Sequence, residues 1–143
     1  MPRKSSRKNL IKRLDRIFSL YIRLRDADKK GICTCITCKK KYHYTELDEG
    51  HFLSRRHFSV RYDEQNVFSQ CRYCNRYNAG QQFIYSIELE KKQKGLSKKL
   101  LKKSKQTKKF TVDDLQELIY LYQEKVESLK KLINNSLFSK NNL

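Results

Sequence analysis

The sequence lacks long apolar runs and has few apolar residues altogether. No stretch approaches the ~18 consecutive apolar residues of a membrane-spanning helix, and no apolar run follows the basic N-terminal segment MPRKSSRKNL. Neither a membrane anchor nor a secretory signal is expected, so the prediction is a cytoplasmic protein without a membrane partner. The hydrophobic share of the 143 residues is 38%, which allows a small core in one modest domain.

Acidic residues are also scarce relative to basic ones. The chain has 33 Lys and Arg against 15 Asp and Glu, a net charge of +18. Such a surplus indicates an anionic partner, and nucleic acid comes first, because clustered Lys and Arg gain most by releasing the counterions of phosphates. A basic amphipathic helix lying on a membrane surface is the alternative.

The cysteines occur in a pattern typical of a metal site. Two C-x-x-C pairs, Cys35/Cys38 and Cys71/Cys74, are separated by 32 residues. Each pair can hold one edge of a metal ion from a tight turn, and four thiolates complete a tetrahedral site for structural Zn²⁺. In a reducing compartment disulfides are not expected, and bound zinc adds directly to the folding free energy of a chain with so small a core.

Two alternatives stay open for these cysteines. One C-x-x-C is instead a redox motif beside unrelated cysteines. The fifth cysteine, Cys33, is either a spare thiol or replaces Cys35 as a metal ligand.

Two segments have the apolar spacing of amphipathic helices. Residues 7–28, within a basic N-terminal arm over 1–30, carry apolar residues in steps of three and four: Leu10, Leu14, Ile17, Tyr21 and Leu24. Thr111 and Asp114 are typical of a helix start, and the segment 111–143 then carries a heptad seam of Leu115, Ile119, Tyr122, Val126, Leu129 and Ile133. That seam either packs within the chain or joins two chains as a homodimer.

A lysine-rich segment over residues 91–110 precedes the last helix. It has ten lysines in the nineteen residues 91–109 and no aromatic residue there. Such a segment is either a solvated helix or a flexible linker, and in both cases its charge suits phosphate contact more than base reading. The predicted DNA contacts in this segment are Lys98, Lys99, Lys102 and Lys103.

The central region combines residues that suit phosphodiester chemistry. Residues 40–53 indicate a hairpin and residues 54–70 a mostly loop-like passage, and the knuckle CRYCN should open a helix. His51 follows a predicted strand, Asn66 comes fifteen residues later, and Asn75 directly follows the second C-x-x-C. A strand-loop-strand-helix unit would bring a water-activating His51 and a metal-ligating Asn75 to one phosphate, with Asn66 bracing the loop.

This pattern resembles the HNH, or ββα-metal, nuclease superfamily over roughly residues 33–90. Several blocks are similar to the NinG/Rap recombination proteins of lambdoid phages, from about Phe18 to beyond Leu115: FSLYIRLRDAD, CITC, GHF, NVFSQCRYCN and FTVDDL. The paired C-x-x-C followed by Asn is also similar to the phage endonuclease VII group. The resemblance implies an α+β fold in which a small zinc-stabilised ββα-metal (HNH, treble-clef-like) core over 31–90 is flanked by N- and C-terminal amphipathic helices.

The resemblance also implies a function. It suggests a structure-specific endonuclease that cleaves branched double-stranded DNA, Holliday junctions and D-loops, during phage recombination in the bacterial host cytoplasm, with Mg²⁺ or Mn²⁺ as catalytic cation. His51 matches the water-activating histidine of the motif, Asn66 its middle asparagine and Asn75 its last, metal-binding position. Two opposed cuts at a junction favour a homodimer with two equivalent sites.

Two positions depart from these families. Many HNH enzymes have an acidic metal ligand immediately before the active histidine, where this chain has Gly50. The acidic ligand is then Asp48 or Glu49, or His51 coordinates the cation itself, and strand alternation predicts that Asp48 lies on the opposite face from His51. The second departure is a Gly-Gln dipeptide after the second knuckle, where the NinG-like pattern has Gly-Asn, so no role is assigned there.

Arginines near His51 complete the predicted site. Arg55, Arg56 and Arg61 are expected to bind the substrate phosphates. Two other functions fit the same residues. One is an HNH nuclease without junction preference, and the other is a non-catalytic zinc-knuckle protein that binds nucleic acid, which the missing acid beside His51 favours.

Overall fold

Helices make up most of the chain, and short strands form two small sheets between them. The structure, a computed structural model, describes residues 5–140. Its helices are α1 (Arg7–Asp26), α2 (Phe58–Arg61), α3 (Gln82–Lys92), α4 (Leu96–Ser104) and α5 (Val112–Lys140), and its strands are β1 (Ile32–Thr34), β2 (Lys41–His43), β3 (Leu47–His51) and β4 (Val67–Cys71). The predicted α+β class is confirmed. Within this part of the chain, no helix is both long and apolar enough to cross a membrane.

The first and last helices pack against each other and form the largest core. Ser6 caps α1, and its hydroxyl accepts a hydrogen bond from the Asn9 N–H at 3.2 Å. The apolar stripe of α1 lies on that of α5, where Phe18 meets Tyr122 edge-on with ring centroids 5.0 Å apart. The buried residues of this core are Leu10, Leu14, Phe18, Tyr21, Ile22, Leu24, Val67, Leu115, Ile119, Tyr122 and Val126.

The heptad seam of α5 is therefore occupied within the chain. Leu115, Ile119, Tyr122 and Val126 are at most 4% exposed against α1. Of the two alternatives for this seam, packing within the chain is the one observed, and a homodimer would have to use another surface. Residues 1–4 and 141–143 of the predicted terminal segments lie outside the described residues.

The helical pair also holds the loop that precedes β4. Glu64 in that loop accepts hydrogen bonds from the Tyr21 hydroxyl of α1 at 2.5 Å and from the Tyr122 hydroxyl of α5 at 3.3 Å, and Lys125 of α5 lies 3.3 Å from it. Burial opposes ionisation of Glu64, but these bonds outweigh burial and lower its pKa. One carboxylate thus ties both terminal helices to the central region.

Each sheet contains two antiparallel strands. β1 pairs with β2, and β3 pairs with β4. The register of the second sheet sets Asp48 opposite Gln70 and His51 opposite Val67. A π-helical turn, Tyr73–Tyr77, follows β4, so the chain has the strand-loop-strand-helix order predicted from the sequence.

The hairpin predicted within residues 40–53 is wrong. β2 and β3 belong to different sheets, and a 3₁₀ turn over Tyr44–Glu46 separates them. β3 instead finds its partner in the passage predicted to be mostly loop. β4 lacks the apolar alternation typical of a strand, because two of its buried residues, Ser69 and Gln70, are polar and are only 1% and 0% exposed.

The two segments after the second knuckle are helical. The π-helical turn leads into α3 through Gly80, whose φ of 71° favours a residue without a β-carbon. The lysine-rich segment contains α4, so the helical alternative is the one observed there. Leu96 and Leu100 hold α4 in place, because they are buried with Tyr85 and Leu89 of α3.

Removing core volume between α1 and α5 should destabilise the protein strongly. Leu14 is 0% exposed in this core, and we expect Leu14→Ala to lower the free energy of unfolding by about 2–5 kcal/mol, because it removes apolar contacts and leaves a cavity. Chemical denaturation followed by circular dichroism measures the change. Lys12→Ala, on the exposed side of the same helix, is the control, and an equal loss in both variants would contradict the packing of α1 on α5.

Candidate metal centre and active site

The four cysteines of the two C-x-x-C pairs meet at one point. Their sulfur atoms all lie within 4.8 Å of one another, and Cys38 Sγ is 3.8 Å from Cys71 Sγ. Zinc bound to four thiolates at about 2.3 Å requires sulfur–sulfur distances of about 3.8 Å along the edges of a tetrahedron. The cluster of Cys35, Cys38, Cys71 and Cys74 therefore fits Zn²⁺, and within the described residues it is the one group of three or more His, Cys, Asp or Glu side chains close enough to hold an ion. A redox pair beside unrelated cysteines would not bring all four sulfurs together.

Neighbouring donors favour the thiolate form that a metal needs. The Cys71 N–H donates to Cys35 Sγ at 3.3 Å, and the Thr37 hydroxyl lies 3.4 Å from the same sulfur. The Gln70 amide donates to the Thr37 oxygen at 3.1 Å, which leaves the Thr37 proton to point at the sulfur. Burial raises the pKa of Cys35, but the donors outweigh burial and lower it to about 6.

Cys33 lies outside this cluster. Its thiol is fully buried and donates to the backbone carbonyl of Arg23 at 3.1 Å. Burial raises the pKa of Cys33 to about 11, and a protonated thiol is a poor metal ligand. Of the two roles considered for Cys33, the spare thiol is the one observed.

Zinc binding should depend on the cluster and not on Cys33. We expect about one Zn²⁺ per chain, and we expect Cys74→Ala to lose the ion and much of its thermal stability, because bound zinc adds to the folding free energy. Cys33→Ala is the matched control and should keep the ion. Elemental analysis and thermal melting measure both properties, and equal zinc content in the two variants would contradict the assignment.

Three polar side chains of β3 line one open cavity of about 720 Å³. Asp48, Glu49 and His51 border it from β3, and Asn75 borders it from the π-helical turn. Asp48 and His51 both border this cavity, although strand alternation predicts that they point to opposite faces. In the described part of the chain β3 is paired along one edge only, so its other edge is open. Side chains from both faces of β3 therefore reach the space at its open edge.

His51 is held in one tautomer and kept neutral. Its Nε2 atom lies 2.9 Å from the backbone carbonyl oxygen of Arg61. A carbonyl oxygen only accepts hydrogen bonds, so Nε2 carries the proton and Nδ1 keeps its lone pair. Burial and the positive charges of Arg55 and Arg61 lower the pKa of His51, although the carbonyl bond opposes this shift. A neutral imidazole with a free Nδ1 is able to accept a proton at neutral pH.

Asn66 braces the loop between β3 and β4 from inside. Its side-chain oxygen accepts from the Leu53 N–H at 2.9 Å, and its amide donates to the carbonyls of Leu53 and Val60 at 3.0 and 3.1 Å. These are the loop-bracing contacts expected from the sequence. Asn66 is 0% exposed, so it positions the loop that carries the Arg61 carbonyl and does not itself line the cavity.

Asp48 and Asn75 lie side by side. The Asn75 amide donates to Asp48 Oδ2 at 3.0 Å, and Arg76 binds both carboxylate oxygens at 2.8 Å. Arg72 lies 4.0 Å from the same carboxylate. Burial opposes ionisation, but the bonds from Arg76 and Asn75 hold the pKa of Asp48 below its ordinary value. Asp48 is thus a carboxylate in contact with the amide that was predicted to share its cation.

The glycine in place of the usual acid has a structural reason. A β-carbon at Gly50 would come within 2.3 Å of Gln70 Oε1 and 2.8 Å of Gln70 Cβ. Gln70 is fully buried, and its amide joins Thr37 beside the first knuckle to the carbonyl of Gly80 after the second. A side chain at position 50 would displace this link, so an acidic ligand is excluded there.

Glu49 is the second acid of the cavity, and its state differs from that of Asp48. Its Oε2 atom is buried without a hydrogen-bond partner. Burial and the charge of Asp15 raise the pKa of Glu49 to about 8, against the opposing effect of three nearby arginines. Two adjacent residues of β3 therefore carry one ionised and one largely protonated carboxyl group at neutral pH.

Two of the three predicted arginines are exposed, and the third is not. Arg55 and Arg56 lie on the surface of the loop after β3. The Arg61 side chain is 13% exposed; it pairs with Asp15 of α1 at 2.6 Å and donates to the carbonyl of Arg55 at 3.0 Å. These bonds fix the position of Arg61, whose backbone carbonyl binds His51. The Arg61 guanidinium therefore supports the position of His51 indirectly.

The lysines of α4 form a separate basic surface. Lys98, Lys99, Lys102 and Lys103 are all exposed, and Lys103 pairs with Asp63 at 2.6 Å. Because α4 packs against α2, this surface stands beside the loop that joins β3 to β4.

Three arginines that line the cavity were not singled out from the sequence: Arg23, Arg72 and Arg76. Arg72 and Arg76 stand three residues before and one residue after Asn75, and this closeness is a signal that the sequence does contain. Arg23 comes from α1 and donates to the carbonyl of Tyr44 at 2.9 Å. No sequence pattern predicts that Arg23 lines the cavity, because only tertiary packing brings α1 to β3.

Comparison with known proteins identifies the family. The family model described as Bacteriophage Lambda NinG protein matches residues 3–132. The chain belongs to the NinG family. Protein ninG of Escherichia phage 933W and protein ninG of Enterobacteria phage VT2-Sa are each 26% identical to it over 121 residues, which cover 84% of this chain and 58% of each relative. The chain thus spans less than two thirds of the length of these relatives, and no solved structure matches it.

The cavity also contains two side chains whose oxygen atoms are of the types that bind hard cations. Asp48 offers a carboxylate and Asn75 an amide oxygen, which are ligand types that Mg²⁺ and Mn²⁺ prefer. Arg76 binds both oxygens of Asp48 in the structure, so a bound cation would take the place of Arg76. Asp48 and Asn75 are therefore candidate ligands by their chemistry, and the Asn75 amide, whose nitrogen donates to Asp48 in the structure, would have to turn its oxygen to a bound ion.

Cation binding should depend on Asp48. We expect Mn²⁺ to bind the zinc-loaded protein, and we expect Asp48→Asn to weaken this binding about 10-fold or more, because the change removes the charge of a ligand. Electron paramagnetic resonance of Mn²⁺ measures the bound fraction without relying on activity. Asp63→Asn, which removes a carboxylate paired with Lys103, is the control, and equal Mn²⁺ affinity of the two variants would eliminate Asp48 as a ligand.

Proposed function

We propose that this NinG-family protein is a metal-dependent endonuclease that cleaves branched DNA at a ββα-metal (HNH-type) site. The observation that carries the proposal is the meeting, around one cavity, of a neutral His51 in a fixed tautomer and the contacting pair Asp48 and Asn75. The strand-loop-strand-helix order of β3, β4 and the π-helical turn supports the ββα assignment. The four-cysteine cluster supports a structural zinc ion beside this site.

His51 is the general base of the proposed reaction. Its Nδ1 lone pair accepts a proton from the water that attacks the scissile phosphate, while Nε2 stays bonded to the Arg61 carbonyl. The ion pair between Arg61 and Asp15 and the braces of Asn66 hold that carbonyl in place. The imidazole therefore keeps its tautomer and orientation through the reaction.

The cavity holds the anionic substrate through its positive groups. Asp48 and Asn75 would hold a Mg²⁺ or Mn²⁺ ion, which when bound would supply positive charge to polarise the phosphate and stabilise the leaving oxygen. Arg23, Arg55 and Arg72 line the same cavity and donate to the phosphate oxygens. The lysines of α4 hold the DNA backbone farther from the cut.

The choice of DNA rests on the charge of +18, and the choice of branched DNA rests on the resemblance to phage recombination proteins. Two opposed cuts at a Holliday junction need two active sites, so the proposal includes a homodimer that uses a surface other than the buried seam of α5. The protein would act on recombining phage DNA in the cytoplasm of the bacterial host.

A non-catalytic DNA-binding role is the second candidate. Arg76 donates to both oxygens of Asp48, and this observation favours the second candidate, because the carboxylate proposed as a cation ligand is already occupied. The zinc cluster and the basic surfaces would then bind DNA, and no cation would displace Arg76.

Cleavage assays on a synthetic four-way junction and on the matching linear duplex separate these functions. With Mg²⁺ or Mn²⁺ we expect paired cuts on the junction, and no cuts when these ions are left out. His51→Ala should cut at least about 100-fold more slowly, because it removes the general base, while it keeps its zinc, its fold and its affinity for the junction. His57→Ala, a histidine of the same loop that does not line the cavity, is the matched control and should cut like the parent.

The other outcomes identify the alternatives. Equal cutting of both substrates would indicate an HNH nuclease without junction preference. Tight binding without cuts under either cation would indicate a binding protein in which Arg76 stays on Asp48. Loss of zinc or of helicity in His51→Ala would give His51 a structural role.

A further inference from the structure

Three aromatic side chains from the second knuckle to the first turn of α3 are exposed to solvent. Tyr73, Tyr77 and Phe83 are 65%, 79% and 78% exposed. Aromatic rings dominate the cores and interfaces of proteins, because each removes a large apolar area from water when it is covered. One exposed ring needs no explanation, but these three fall within eleven residues, and Tyr73 and Tyr77 stand one helical turn apart on the same face. We call the three side chains the aromatic patch, because clustered exposed apolar groups mark an interaction site.

The aromatic patch flanks the candidate active site. Tyr73 and Tyr77 each stand two residues from Asn75 on the same π-helical turn, so they occupy the side of the turn opposite to the cavity that Asn75 lines. Phe83 follows Gln82, whose amide donates to the carbonyl oxygen of His51 at 3.5 Å. A strand bound with its phosphate in the cavity would cross the π-helical turn to reach the patch.

Positive charge lies between the rings and the cavity. Arg72 and Arg76 line the cavity, and their side chains are 54% and 55% exposed. Residues 72–83 contain no acidic residue. Guanidinium groups bind phosphates, and aromatic faces stack on nucleobases of any sequence. Rings that alternate with arginines therefore suit a DNA strand better than they suit a protein surface.

We propose that the aromatic patch stacks on unpaired bases of DNA next to the phosphate held in the cavity. Bases within a duplex are stacked on their neighbours, whereas a base at a branch point or in a flap is free to lie on an aromatic ring. The inference rests on the proposed function and adds to it a substrate class, namely DNA with unpaired nucleotides beside the cut. It gives a physical reason for a preference for branched over fully paired DNA.

Binding without cleavage tests this inference. The zinc-loaded full chain is titrated, without Mg²⁺ or Mn²⁺, with three DNAs: a duplex that carries a short run of unpaired nucleotides, the same DNA made abasic at those nucleotides, and the fully paired duplex. The abasic DNA keeps the backbone and its charge and lacks only the bases. We expect the DNA with unpaired bases to bind about 10-fold more tightly than either of the others, since stacking is lost in both.

Variants then assign the preference to the rings. Tyr73→Ala, Tyr77→Ala and Phe83→Ala combined should abolish the 10-fold preference, whereas Tyr73→Phe combined with Tyr77→Phe should keep it, because phenylalanine retains the stacking face. Ile87→Ala, at a residue of α3 that is 41% exposed, removes exposed apolar area without removing a ring and should behave like the parent. Zinc content and thermal melting check that each variant is folded.

Several results would overturn the inference. Equal affinity of the parent chain for the base-containing and abasic DNAs would do so without any variant. If the preference survives the triple alanine variant, it belongs to another surface. A dimer that this variant disrupts without a change in DNA preference would make the patch a protein interface. A chain that shows the base preference but never cuts would contradict the endonuclease and not the stacking surface, and the reverse result would contradict only the stacking surface.

Discussion

The meeting of four cysteine sulfurs fixes the geometry of the central region. The two knuckles are far apart in the chain, and the cluster brings the end of β4 to the first knuckle. Gln70 extends this link with hydrogen bonds to Thr37 on one side and to the carbonyl of Gly80 on the other. Asn75 stands directly after the last cysteine, so the position of its amide in the cavity depends on the cluster. A chain with 38% hydrophobic residues has few other means of holding two small sheets together.

Burial and charge set different protonation states for three neighbours on β3. Arg76 and Asn75 keep Asp48 ionised, while Glu49 one residue later has its pKa raised to about 8 by burial. His51 has its pKa lowered by burial, and so stays neutral. Neighbouring groups whose pKa values are shifted in different directions are typical of functional sites, because each group then has the protonation state suited to a different role.

Features that depend on spacing could be predicted from the sequence, and features that depend on tertiary contact could not. The apolar stripes of the terminal helices follow from periodicity, and the cysteine cluster and the place of Asn66 in the loop follow from the spacing of motif residues. The bounds of β4 could not be predicted, because Gln70 has the character of a loop residue and only the structure shows it buried against Gly50. The support that Arg61 gives to His51 also has no sequence signal, since its partner Asp15 lies on another element.

The pairing of α1 with α5 sets an order of assembly during translation. α1 leaves the ribosome well before its apolar partner, which begins only at Val112, and contacts between such distant parts of a chain form late. Until α5 has packed on α1, Glu64 lacks its bonds to Tyr122 and Lys125. The loop that leads to β4 is therefore not yet anchored to α5. The four thiols are all present once Cys74 has emerged, so a nascent chain has the complete cysteine cluster before α5, which anchors the loop beside the cavity, has been made.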